Sequence, residues 1–134
     1  MNLAHHITNL AQRLALELKA RITADHPGVS KAWVCFGYEG TGSKASLVVR
    51  ASFNVNSVTR LSTGQYRVTF VNPMLDASYC WQAFARNAGS QSSMKHAGAR
   101  ATAEAKTAQF VELICTTSNG TLADTSEMNL TVWR

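Results

Sequence analysis

The sequence is short of charge: acidic and basic residues together make 16% of its 134 residues. It is also short of proline, with two, and of cysteine, with three. Cys35, Cys80 and Cys115 lie far apart. An odd count without CxxC spacing argues against a disulfide framework and against a cysteine-held zinc site. The three read as free, buried thiols in a chain that folds under reducing conditions. No stretch approaches the roughly 18 consecutive apolar residues of a membrane span. The first residues lack the basic-then-apolar pattern of a secretory leader, since Asn9, Gln12, Arg13, Glu17 and Lys19 interrupt them. No membrane span and no secretory route are expected. A hydrophobic share of 46% excludes wholesale disorder. The length suits one domain with a core that needs neither disulfide nor metal.

Catalytic signals are missing too. There is no GxSxG elbow, no HExxH pair and no phosphate-cradling loop. Gly40-Thr41-Gly42 is too short for such a loop and reads as a hairpin turn. The eight carboxylates sit mostly in the first segment or beside turn signals, where a solvated charge is the ordinary reading. No enzyme activity and no cofactor are expected. The net charge of +5 suggests a nucleic-acid partner, but the basic residues are scattered along the whole chain. They form no stripe, so specific nucleic-acid binding is not expected. His5 and His6 are adjacent, and adjacent side chains on a helix diverge too far to share an ion. One histidine from each of three chains on a three-fold axis could bind one. No metal site is assigned.

What the sequence does contain begins with a helical pattern. Leu3, Ile7, Leu10, Ala11, Leu14, Leu18 and Ile22 recur at helical spacing. The pattern predicts a helix over Leu3–Ala24, stopped by Pro27 and Gly28. Such a helix is about 33 Å long, more than one small sheet needs to cover. Its stripe either folds back on its own chain or packs against copies of itself. A helix held by local propensity alone is marginal in water, so the stripe needs a partner, and the length favours self-association. Ile7 and Leu14 fit heptad d sites, with Ala11 and Leu18 at a. The heptad then fails, with Arg21 where an apolar residue is wanted and Ile22 one place later. The expectation is an intersubunit bundle with Leu3, Ile7, Leu10, Leu14, Leu18 and Ile22 at its centre. Leu16 lies on the opposite side and is the candidate for a second docking contact.

After Gly28 the period changes to two. Ala45, Leu47, Val49, Ala51 and Phe53 alternate with polar residues and Val48, and Tyr66, Val68 and Phe70 alternate with Gln65, Arg67 and Thr69. Tyr79, Trp81, Ala83 and Ala85 form a third set. Further strands are expected at Lys31–Phe36, Ser57–Leu61, Gln109–Thr116 and Met128–Trp133, with turns at Thr63-Gly64, Asn72-Pro73 and Asn119-Gly120. Ser93–Ala108, with its alternating alanines, reads as a loop followed by a strand. The fold class is mainly β: an antiparallel sandwich of about seven strands over 31–134, preceded by one amphipathic helix within 1–26. The tryptophans and tyrosines are candidates for core, subunit interface or sugar stacking.

One stretch is more distinctive. Ala32-Trp33-Val34-Cys35-Phe36, then Gly40-Thr41-Gly42, then Val49-Arg50-Ala51-Ser52-Phe53-Asn54-Val55-Asn56-Ser57-Val58-Thr59, resembles a domain of phage tail-fibre and other virion proteins. The similarity continues through Gly64-Gln65-Tyr66-Arg67-Val68-Thr69-Phe70, then Pro73, then Ala77-Ser78-Tyr79, and returns at Leu130-Thr131-Val132-Trp133-Arg134. It covers 31–134 apart from 88–106. The resemblance implies a non-catalytic β-sandwich, usually a homotrimer, in a virion appendage assembled in the host cytoplasm. It implies a short tail fibre or fibre-like attachment protein, anchored by the N-terminal helix on a tail adaptor, a nozzle or the capsid. A capsid decoration protein and a glycan-binding module are the alternatives. In the second, host surface glycan is the partner, and Tyr38 and Trp81 are the candidate surface-recognition residues.

Overall fold

The structure, a computed structural model, describes residues 1–86, 94–100 and 105–134. It opens with α1, Leu3–Arg21. Asn2 caps it, its side-chain oxygen accepting from the His5 amide at 3.0 Å. Lys19 and Arg21 lie in the last turn, where cations suit the helix dipole. The helix stops three residues before the expected Ala24. Ile22 has left helical geometry (φ −107°, ψ 73°), and the β-branched Thr23 follows. The Lys31 ammonium then holds the carbonyls of Ala24 and His26, which fixes the turn leading to the first strand.

Eight strands follow: β1 Ala32–Glu39, β2 Ser46–Phe53, β3 Val55–Ser62, β4 Gln65–Phe70, β5 Cys80–Arg86, β6 Lys95–Ala99, β7 Phe110–Thr117 and β8 Glu127–Trp133. They form two antiparallel four-stranded sheets, ordered β2-β1-β8-β5 and β3-β4-β7-β6. The arrangement is the expected sandwich, with one strand more than the alternation suggested. The extra strand is β6, in the alanine-rich stretch read as loop before strand. The strand comes first there, because Ala97 packs on the core while pairing with Cys115. Ala101 and Ala103 of that stretch lie outside the described residues.

The core lies between the sheets. Ala32, Val34, Phe36, Met128, Leu130 and Val132 line it from the first sheet. Val58, Tyr66, Val68, Phe70, Val111, Leu113 and Cys115 line it from the second. The rings of Phe36 and Tyr66 meet edge to face at 5.2 Å across the interface. All three cysteines are free, as expected, but only Cys115 is buried; Cys35 is half-buried and Cys80 exposed. Cys80 opens the edge strand β5 and points outward opposite Trp133, so the core never reaches it.

Two residues shape the ends. Asn54, at φ 54°, turns the chain from one sheet to the other between β2 and β3. Its side-chain amide donates to the carbonyls of Lys31 and Asn72 at 2.9 and 3.1 Å, and its oxygen accepts from the Asn72 amide at 2.7 Å. Asparagine tolerates this left-handed geometry better than most residues. Gly64, at φ 65°, closes the β3–β4 hairpin. A side chain there would meet the Cys115 carbonyl at 2.5 Å.

Candidate interaction surfaces

Helix α1 is the most unusual surface of the molecule. None of its residues is buried. Leu3, Ile7, Leu10, Leu14, Leu18 and Ile22 are 55–74% exposed. Their spacing is four, three, four, four and four residues, which keeps them on one stripe. Among the described residues the stripe finds no partner in its own chain, and it does not fold back on the described part of the sandwich. Leu16 is 68% exposed on the other side. His5 and His6 are exposed and lie off the stripe.

A second apolar surface is the outer face of the first sheet. Residues opposed in an antiparallel pair share a face. Trp33 pairs with Phe53 and with Thr131, and Thr131 with Gln82. One row along, Cys35 pairs with Ala51 and Asn129, and Asn129 with Phe84. Trp33, Phe53 and Phe84 are 39, 54 and 69% exposed. Alternation marks Trp33 and Phe84 as outward-facing, because their neighbours face the core. Phe53 is hidden from such a reading. The strand carries a bulge at Arg50, where the register jumps from Cys35↔Ala51 to Phe36↔Val49. Leu47 therefore packs on the core, while Ala51 and Phe53 turn outward, although all three belong to one alternating set.

The residues singled out for surface recognition are placed otherwise. Trp81 pairs with Val132 on the inner face and packs half-buried against the core. Tyr38 is half-buried at the end of the sandwich, with the Arg60 guanidinium 4.4 Å above its ring. The two are not brought together into one exposed platform.

Arg60 belongs to a polar cluster centred on Asp124. The carboxylate accepts from Arg60 Nε and Nη2 at 3.0 and 2.8 Å, from the Tyr66 hydroxyl at 2.7 Å and from the Gly64 amide at 3.0 Å. Burial alone would raise the Asp124 pKa, but the hydrogen bonds from Arg60, Gly64 and Tyr66 outweigh it and hold it at about 2. Burial and the same carboxylate push the Tyr66 hydroxyl up. The cluster is closed on itself and ties β3, β4 and the approach to β8 together. Glu112, 2% exposed, is likewise clasped between Arg67 and Arg100 on the second sheet. Burial disfavours its charge, and the two guanidiniums more than compensate, leaving its pKa lowered. Burial pushes the Cys115 thiol up to about 11, which keeps it protonated at neutral pH and chemically quiet.

A cleft of about 810 Å³ lies where the segment after α1 meets the base of the sandwich. Phe53, Val71, Met74 and Leu75 give it an apolar wall. Arg134 at its rim is paired with Asp76. Among the described residues, no three histidine, cysteine or carboxylate side chains gather as a metal would require. No described helix is long and apolar enough to cross a membrane. Comparison of the chain with protein-family profiles, with curated proteins and with solved structures finds no match.

Proposed function

We propose that this chain is a virion structural protein, a short trimeric tail fibre or fibre-like attachment protein. In this reading α1 is the assembly and anchoring element, and the sandwich is the outward body. The observation that carries the proposal is the bare leucine stripe of α1, set beside the sequence resemblance of 31–134. A folded protomer that leaves six large aliphatic side chains in water on one stripe is completed by association. In both ionic clusters the carboxylate is already matched by guanidiniums of its own chain, an arrangement that ties strands together.

Light scattering of the purified chain tests the assembly half of the proposal. The full chain is expected to run as a trimer and the L10E/L14E double variant as a monomer. A monomeric full chain removes the basis for the fibre reading. Antibody labelling of virus particles tests the location: label on the tail supports a fibre, and label over the head supports the capsid-decoration alternative. The glycan alternative draws support from the outward Trp33, Phe53 and Phe84 with Gln82, Asn129 and Thr131 between them, since such faces suit sugar rings and hydroxyls. A glycan array without binding to the full chain would end it.

A further inference from the structure

Arg21 lies within the apolar stripe, one turn after Glu17, whose carboxylate its Nε meets at 3.4 Å. The two side chains are 80% and 69% exposed, and an ion pair in open water contributes little. Its situation changes when the stripe is covered. A guanidinium taken from water then needs carboxylates around it, because an unmatched charge in an apolar seam opposes assembly.

We propose that Glu17 and Arg21 set the direction and register of the helix bundle. Copies of α1 associate in parallel and in register, so that Glu17 of each lies against Arg21 of its neighbour in one closed charge layer. This rests on the reading of α1 as a self-association element. The occupant of the stripe is then a second copy of this chain, and charge complementarity selects the arrangement. In parallel register each Arg21 has two carboxylates within one layer, its own and a neighbour's, and its forked donors can serve both. In an antiparallel pair of helices running Leu3–Arg21, Arg21 falls opposite Leu3 and Glu17 opposite Ile7. Each charge then faces aliphatic side chains and gains no new partner. The polar layer costs some stability and excludes the wrong alignment, as single polar core positions do in coiled coils. The parallel arrangement also sends every sandwich out from the same end of the bundle.

The test uses two full-length variants, E17R and R21E. Each carries charge of one sign at both positions, so each is expected to associate about tenfold or more weakly than the wild type. The decisive sample is their equimolar mixture, read by light scattering and analytical ultracentrifugation. Parallel, in-register packing places the basic layer of one variant against the acidic layer of the other at two of a trimer's three contacts, and the mixture should assemble clearly more strongly than either variant alone, though less strongly than the wild type. Antiparallel packing keeps those layers at opposite ends, and mixing then restores nothing. A wild type that assembles, with a mixture that does not, overturns this inference and leaves self-association standing. Single variants that assemble as well as the wild type overturn it too. A wild type that is monomeric overturns the self-association reading and this inference with it.

Discussion

Asn54 carries two demands at once. It must occupy left-handed backbone space, and it must hold Lys31 and Asn72 with its side chain. Two substitutions separate these demands. N54G relieves the backbone but loses three hydrogen bonds, and is expected to cost about 1–3 kcal/mol. N54A loses the same bonds and adds the strain of a side chain at positive φ, roughly 1 kcal/mol more. Urea unfolding of both variants checks the order; equal losses would place the whole effect in the hydrogen bonds. Asp124 makes a prediction in pH. Its carboxyl titrates lower when folded than the usual value near 4. Its stabilisation, about 2 kcal/mol, is therefore complete above that range and drains away as pH falls towards 2. D124N should lower stability at neutral pH and make the fall between about pH 4 and about pH 2 shallower. Denaturation midpoints across that range provide the measurement.

The strands show why a sequence reveals an element more readily than its face. Tyr66, Val68 and Phe70 alternate and all point inward, so β4 is legible from spacing alone. The set running from Leu47 to Phe53 alternates just as well, yet the bulge at Arg50 sends its two ends to opposite faces. Nothing in the residue types announces that shift. It arises from pairing with β1, where Arg50 Nη2 reaches the Ser126 carbonyl at 2.8 Å and also binds Glu39. Deleting Arg50 should realign β2 and either expose Leu47 or force Phe53 inward, at about 2–3 kcal/mol. A denaturant midpoint unchanged by the deletion would contradict that account. The helix was legible for the opposite reason. Its stripe depends on sequence period and on no long-range pairing, and only its last turn was misjudged. The polar cluster at Asp124 was invisible beforehand, because Arg60, Gly64, Tyr66 and Asp124 converge only once both sheets exist.

At the scale of the whole molecule, the sandwich has a core of its own while α1 has none. The two should therefore respond to different variables. With α1 as the proposed association element, helix content should rise with protein concentration, because association stabilises only the associated form. The melting of the sandwich should depend on concentration far less. Circular dichroism at 222 nm over a hundredfold dilution, with near-ultraviolet melting in parallel, tests the separation. Helix content that stays constant on dilution would show a stripe satisfied at every concentration.

Strand β8 lies between β1 and β5 in the first sheet, and of the eight strands it is the last to leave the ribosome. Until it emerges, β1 has β2 on one side and nothing on the other, and β5 has no neighbour in its sheet. The first sheet cannot close before β8 has been made, and a pairing of such long range is slow to form. The leucine stripe has no such wait, since α1 precedes every described strand in the chain. In the proposed assembly, nascent helices on a message carrying several ribosomes would meet while the bodies behind them are still open. Assembly would then precede folding, and variants that weaken the stripe would lower the yield of soluble protein as well as its oligomeric state.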